Sequence, residues 1–231
     1  MLEIRNLRKS YGRNLAVDEV SFFVPDGQIG ILLGPNGAGN RRSSRVLQDC
    51  SVIRADRDPG DSGKTVGAKR IFGYVPEIPA MFEALTVREH IEYIRKAYAS
   101  SITDEEVEAL LERFELKDKQ DKLGNELSKG MMQKVSICCA LAIRPKVILL
   151  DEPMVGLDPR AIKELKETVR ELRDQGVTVL ISTHMLEMVE DLWDVMFVME
   201  KGKIIGSYRK SEAGEKDLDD LFFEMTGGDE K

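Results

Sequence analysis

Two carboxylates stand side by side where an apolar run ends, in VILLDEP, with Asp151 and Glu152 closing the stretch that begins at Val147. Adjacent acids at the tip of a buried strand can divide two tasks. Asp151 suits a magnesium shell, directly or through water, and Glu152 can orient and deprotonate a water that attacks a terminal phosphate. A solvated acidic turn is the plainer alternative, but the pair has company. GLDP follows at 156–159, and STH at 182–184 ends the next apolar run, which brings His184 to the same level. ELSKGMMQK at 126–134 opens a helix with Ser128, Lys129, Gly130 and Met131 at its start. A hydroxyl and bare amides at a helix N-terminus make an anion site. Near the beginning, Gly34, Pro35, Asn36, Gly37, Ala38 and Gly39 hold the G-x-x-x-x-G spacing of a phosphate cradle. Tyr11 precedes that cradle, where its ring can stack on a base or simply pack.

Strands and helices of definite kinds are needed to bring these groups together. LEIRNL, VSFFV and QIGILLG (2–7, 20–24 and 28–34) read as strands, with the PDG turn between the last two. IFGYV at 71–75 is another, ended by Pro76. From Thr86 to about Arg144 the spacing becomes helical: Val87, Ile91, Ile94 and Tyr98 share one face, and Val107, Leu110, Leu111 and Phe114 another. Strands return at VILLD (147–151), VTVLIST (177–183) and VMFVM (195–199). Between them lie an amphipathic helix at 160–176, ended by Gly176, and a shorter helical pattern, MLEMVEDLW. KGKIIGSYRK is expected to be a hairpin partner and LDDLFFEMTGG a terminal helix. Near-continuous apolar strands suit a parallel sheet covered on both faces, with ligands at its C-terminal edge. The expected architecture is a single α/β domain over 1–231. It has a doubly wound sheet, an antiparallel β portion at the N-terminus and a helical subdomain inserted at 78–144.

In this order the motifs resemble the ATP-binding cassette of ABC transporters, a P-loop NTPase domain, from residue 1 to about 210. Tyr11 falls at the A-loop, GPNGAG at the start of Walker A, GYVPE at the Q-loop and LSKGM at the signature. VILLDEP is similar to Walker B, GLDP to the D-loop and His184 to the H-loop switch. The resemblance implies two such domains closing head to tail, with each ATP and its Mg²⁺ held between the Walker side of one and the signature side of the other. Ser128, Lys129, Gly130 and Met131 would then meet the nucleotide of the partner chain, and Asp158 would bridge to the opposite site. Glu152 would be the general base, His184 the γ-phosphate sensor, and Asp151 and Glu77 the metal-side groups. Closure would drive separate transmembrane permease subunits from the cytoplasmic face of the membrane, with a homodimer or a heterodimer of cassettes both open.

The chain departs from that pattern in three places. Lys129 and Met131 stand where the commonest signature has Gly and Gln, and Glu77 stands where the Q-loop usually has Gln. The larger departure is after Gly39, where Asn40 and Arg41 occupy the positions of the P-loop Lys and Ser/Thr. Asn40 carries no charge to the phosphates, and Arg41 has no oxygen for magnesium. Neither supplies what the loop chemistry requires. GDSGKT at 60–65 contains Gly-Lys-Thr but follows no apolar strand, and it reads as a polar loop. Two explanations stand: a degenerate loop, or a shift of reading frame. With one base restored after the Gly39 codon, a permitted codon choice reads Lys-Ser-Ser-Ile-Ile-Lys-Gly-Ile-Ala-Gly-Leu. That supplies the missing amine and hydroxyl, then an amphipathic helix. As it stands the stretch has a weak apolar face where a core helix is required. The likeness to the family returns at AKRIFGYVPE, which implies a compensating shift before residue 68.

Composition limits the alternatives. A net charge of -7 in 231 residues argues against a general nucleic-acid binder. The opening MLEIRNLRKSYG lacks a signal-peptide layout, and no apolar run is long enough to span a bilayer. Cys138 and Cys139 sit in an apolar helical pattern, as buried thiols would in a reducing compartment. Two readings outside a transporter ATPase stay open: a hydrolysis-deficient partner in an asymmetric heterodimer, and a soluble cassette ATPase without a permease. Proteins of the second kind usually carry coiled-coil insertions, paired cassettes or basic arms, which this chain lacks.

Overall fold

The computed structural model describes residues 1–11, 14–34, 53–54, 70–212, 214 and 217–226. Its centre is a six-stranded sheet in the order β5-β6-β7-β3-β8-β9. The strands are β3 (Ile29–Leu33), β5 (Phe72–Val75), β6 (Val147–Asp151), β7 (Thr178–Thr183), β8 (Val195–Glu200) and β9 (Lys203–Arg209). All pair in parallel except β9, which returns antiparallel to β8. Lys201 and Gly202 make that return with φ of 48° and 80°, the left-handed pair a two-residue hairpin needs. A second sheet, β2-β1-β4, is antiparallel, formed by β1 (Leu2–Tyr11), β2 (Asn14–Val24) and the short β4 (Ile53–Arg54).

The central strands β3, β6 and β7 are buried along their whole length, as their near-continuous apolar runs require. Alternation along each strand then divides the core in two. Ile29, Ile31, Leu33, Ile148, Leu150, Val179 and Ile181 face the helices. Leu32, Leu149 and Leu180 face the antiparallel sheet through Leu2, Ile4, Val20, Phe22 and Val24. The two sheets approach closely at Gly30, where a Cβ would meet Val24 Cγ2 at 2.7 Å.

Between the paired strands β5 and β6 the chain runs through α1 (Val87–Ala97), α2 (Asp104–Arg113) and α3 (Lys129–Ala142). Thr86 with Glu89, and Thr103 with Glu106, form reciprocal capping boxes that start α1 and α2 where the apolar periodicity begins. Asp158 caps α4 (Pro159–Asp174), with proline at its first position. The chain closes with α5 (Leu218–Thr226), which packs against β8 and β9.

Two expectations shift. The first two strands run to ten and eleven residues, because they pair with each other beyond their apolar segments. The helix expected over MLEMVEDLW is a single 3₁₀ turn at Leu186–Met188 followed by further tight turns. Its apolar spacing is met by those turns, which bury Val189, Leu192 and Trp193. The segment is then drawn into the sheet, because Asp194 N–H donates to Ile29 O and Asp194 Oδ2 accepts from Ile29 N–H.

Candidate functional site

Parallel pairing aligns the C-terminal ends of β3, β6 and β7. Leu33 lies opposite Thr183, and Asp151 lies opposite Ser182. Gly34, Glu152 and His184 therefore leave the sheet at one level, on three adjacent strands. The outer strand β5 adds Glu77, half-buried two residues beyond Val75, which pairs with Leu150. Open α/β sheets bind ligands at this edge, beyond the carboxyl ends of their strands.

Asp151 is 5% exposed, with the Tyr74 hydroxyl 3.5 Å from its Oδ2. Glu152 takes a left-handed backbone, φ 44°, as the chain turns off the strand, and its N–H donates to Ser182 O at 2.8 Å. A non-glycine residue held there costs of order 1–2 kcal/mol. Three bonds hold its carboxylate in place. Oε2 accepts from Thr183 Oγ1 at 2.9 Å. Oε1 accepts from the His184 N–H at 3.0 Å and lies 2.6 Å from His184 Nδ1. A carboxylate opposite Nδ1 assigns the proton to that nitrogen and leaves Nε2 for a second partner. Since a carboxylate offers about four lone-pair sites, one remains on Glu152 for a water. The Thr183 hydroxyl also accepts from Met185 N–H at 3.0 Å, which locks the turn carrying His184.

Ser128 caps α3, and its Oγ accepts from Met131 N–H at 3.3 Å. Lys129, Gly130 and Met131 form the first turn, with Ser128 and Lys129 exposed and the other two half-exposed. Asp158 lies across from this turn, and its Oδ1 accepts from Ala161 N–H at 2.9 Å. The hydrogen bond from Lys134 holds the Asp158 carboxyl below the usual carboxylate range.

Asp151, Glu152 and His184 thus meet at one edge, with Glu77 on the neighbouring strand. Ser128–Met131 and Asp158 form a separate surface around the start of α3. Tyr11 ends β1 opposite Asn14. Pro35, Asn36, Gly37, Ala38, Gly39, Asn40 and Arg41 lie outside the described residues, as does GDSGKT. Thr183 and Tyr74 lay inside the quoted STH and GYVPE motifs without a role, because only strand register brings them to the carboxylates.

Among the described residues no group of three or more His, Cys, Asp or Glu could hold a metal ion. A nucleotide-borne Mg²⁺ takes one or two protein carboxylates and completes its shell from phosphates and water. Asp151, a buried carboxylate at the strand end, fits such an ion. No helix among the described residues is long and apolar enough to cross a membrane.

Comparison with known proteins gives one answer throughout. A family model described as "ABC transporter" matches residues 17–155. The ABC-type transporter ATP-binding protein EcsA of Bacillus subtilis is 34% identical over 245 residues, covering 99% of this chain and 98% of the relative. The lipopolysaccharide export system ATP-binding protein LptB of Haemophilus influenzae is 34% identical over 223 residues, covering 90% of each. A solved structure of an ATP binding subunit of an ABC transporter superposes with a TM-score of 0.83 at 29% identity, covering 98% of this chain and 99% of that one. The ADP conformation of another ABC transporter cassette gives 0.74 at 26% identity, covering 99% of both.

Proposed function

The chain belongs to the ABC transporter family, as an ATP-binding subunit, and on that premise we propose that it hydrolyses ATP to drive separate permease subunits. The observation that carries the reading is the shared sheet edge, where register sets Asp151, Glu152, Thr183 and His184 beside Gly34. Asp151, with Glu77 nearby, would hold the magnesium that accompanies ATP, and that ion supplies charge neutralisation for the phosphates. Glu152 takes the proton from the attacking water at the lone pair its three bonds leave unused. His184, oriented through Nδ1, offers Nε2 towards the terminal phosphate.

The α3 start, Ser128 to Met131, is an exposed to half-exposed helix N-terminus on a surface separate from the Glu152 edge, and this supports a second copy as the source of its anion. Two copies, or this chain and a homologous cassette, would close head to tail with Asp158 at the seam. Residues 78–144 act as a helical subdomain that carries this surface.

A permease needs a docking face. Ile78, Phe82, Tyr93 and Leu123 are large apolar side chains exposed together around the start of α1, with the Phe82 and Tyr93 rings edge to face at 5.4 Å. An apolar cluster of this kind marks an interaction surface. Docking there sets the chain on the cytoplasmic face of the membrane.

The test is Mg²⁺-dependent ATP turnover by the purified chain and by Glu152→Gln. The amide keeps the shape and removes the base, so the rate should fall about 10²–10⁴-fold. Turnover in the variant within about threefold of the parent would sink the assignment. Asn40 and Arg41 favour a second reading, a nucleotide-binding partner that hydrolyses poorly and depends on a competent cassette. Activity that appears only on mixing with such a cassette would select it.

A further inference from the structure

Residues 153–158 join the Glu152 turn to α4, and one face of α3 is fastened to them at three points. Gly130 sits so close that a Cβ there would meet the Gly156 carbonyl oxygen at 2.6 Å. One turn on, Gln133, 1% exposed, donates from Nε2 to Pro153 O at 3.3 Å. Beside it Lys134, 8% exposed, places Nζ 2.9 Å from Asp158 Oδ2 and 3.5 Å from Glu115 Oε2. Arg160 closes the group with a 2.5 Å ion pair to Glu115. Residues 130, 133 and 134 share a helix face through the 3.6-residue period, so a movement of α3 acts on all three contacts together.

We infer that Lys134, assisted by Gln133, is a positioning residue that ties the start of α3 to the 153–158 segment and thereby to Glu152. The inference rests on the ATPase reading above. In that reading the start of α3 meets a partner's nucleotide while Glu152 serves the chain's own. The fastened face therefore converts an anion arriving at Ser128–Met131 into a fixed setting of the carboxylate at the other site. Charge is central to this role. A buried ammonium demands partners, and its two come from different elements, Glu115 just past α2 and Asp158 at the cap of α4. Removing the cation takes the shared counter-charge from two carboxylates, Asp158 and Glu115, that are themselves open to water, so the loss falls on the seating of α3 more than on global stability. Arginine keeps the charge and the reach.

The full chain is compared with Lys134→Met, Lys134→Arg and Asp158→Asn in two assays. One is ATP turnover against ATP concentration with Mg²⁺. The other, without nucleotide, is amide exchange at Val155 and Leu157, whose N–H groups bond to Glu152 O and Met154 O. Lys134→Met is expected to lower kcat about tenfold with KM held within about twofold, and to speed exchange at both amides about tenfold. Ile181 in the central strand stays protected, and Lys134→Arg restores both readouts to within about twofold. Asp158→Asn, which keeps a capping oxygen and loses the charge, reproduces the faster exchange even if the methionine variant does not fold. Parental kinetics and exchange in Lys134→Met overturn the inference, and so does an arginine variant as impaired as the methionine one. A parent chain with no turnover sinks the ATPase reading instead, and the exchange comparison then upholds or overturns the fastening by itself.

Discussion

His90 fixes the loop that presents Phe82, and its replacement should cost more than an ordinary polar-to-alanine change. The imidazole is 4% exposed and bonded at both nitrogens to backbone: Nε2 accepts from Phe82 N–H at 2.9 Å, and Nδ1 donates to Thr86 O at 2.7 Å. An N–H facing one nitrogen and a carbonyl facing the other specify the tautomer protonated at Nδ1. The same loop is pinned by Leu85 N–H to Phe82 O and by Gly124 N–H to Leu85 O, so it cannot easily drift to find water. His90→Ala leaves the Phe82 N–H without its acceptor, at about 0.5–2 kcal/mol for a part-buried donor. Thr86 O retains its bond from His90 N–H at 3.0 Å, so the second loss is about 0.5–1 kcal/mol. The cavity left by the ring adds about 1 kcal/mol, for a total of roughly 2–4 kcal/mol. His90→Gln, whose carbonyl oxygen can stand where Nε2 stood, should lose only about 1 kcal/mol. Urea unfolding followed by far-UV circular dichroism measures both, and amide exchange at Phe82 reports the bond directly. An alanine variant within about 0.5 kcal/mol of the parent, or a glutamine variant no better than alanine, would refute the two-bond account.

Two further outcomes follow from the charges and thiols. Arg113 of α2 makes a bidentate pair with Glu171 of α4 at 2.6 and 2.9 Å and a third bond to Glu164 at 3.1 Å. The Arg113 hydrogen bond holds the Glu171 carboxyl below its ordinary 4.5. A depressed carboxylate lends stability above its unfolded value, and that stability disappears as pH falls through the folded one. The stability gap between the parent and Arg113→Met should therefore be open at about pH 7 and close towards about pH 3; a gap independent of pH would show that packing carries the effect. Burial pushes the Cys139 thiol up to about 12 and raises Cys138 well above its usual value, so neither offers thiolate at neutral pH. Both should resist iodoacetamide in the folded chain and react on unfolding, as peptide mapping of the alkylated cysteines will show.

Much of the molecule was legible before any coordinates. Strands β3, β6, β7 and β8 were marked by near-continuous apolar runs, and α1, α2 and α4 by their spacing, while the caps Thr86, Thr103 and Asp158 came with the structure. These signals are local: a buried strand must be apolar along its length, and a helix along one face. MLEMVEDLW misled because helical spacing is also met by consecutive tight turns when a neighbouring strand claims the backbone, as Ile29 claims Asp194.

Residue type and order alone determined that acids, an imidazole and amide-rich turns exist in the succession a nucleotide site needs. Tertiary structure decided which of them touch. That Thr183 and His184 hold Glu152, and that Lys134 reaches both Glu115 and Asp158, depends on strand register and on the seating of α3. Contacts between residues so far apart in the chain leave no periodicity in it, because they arise only when separately folded elements are packed against one another.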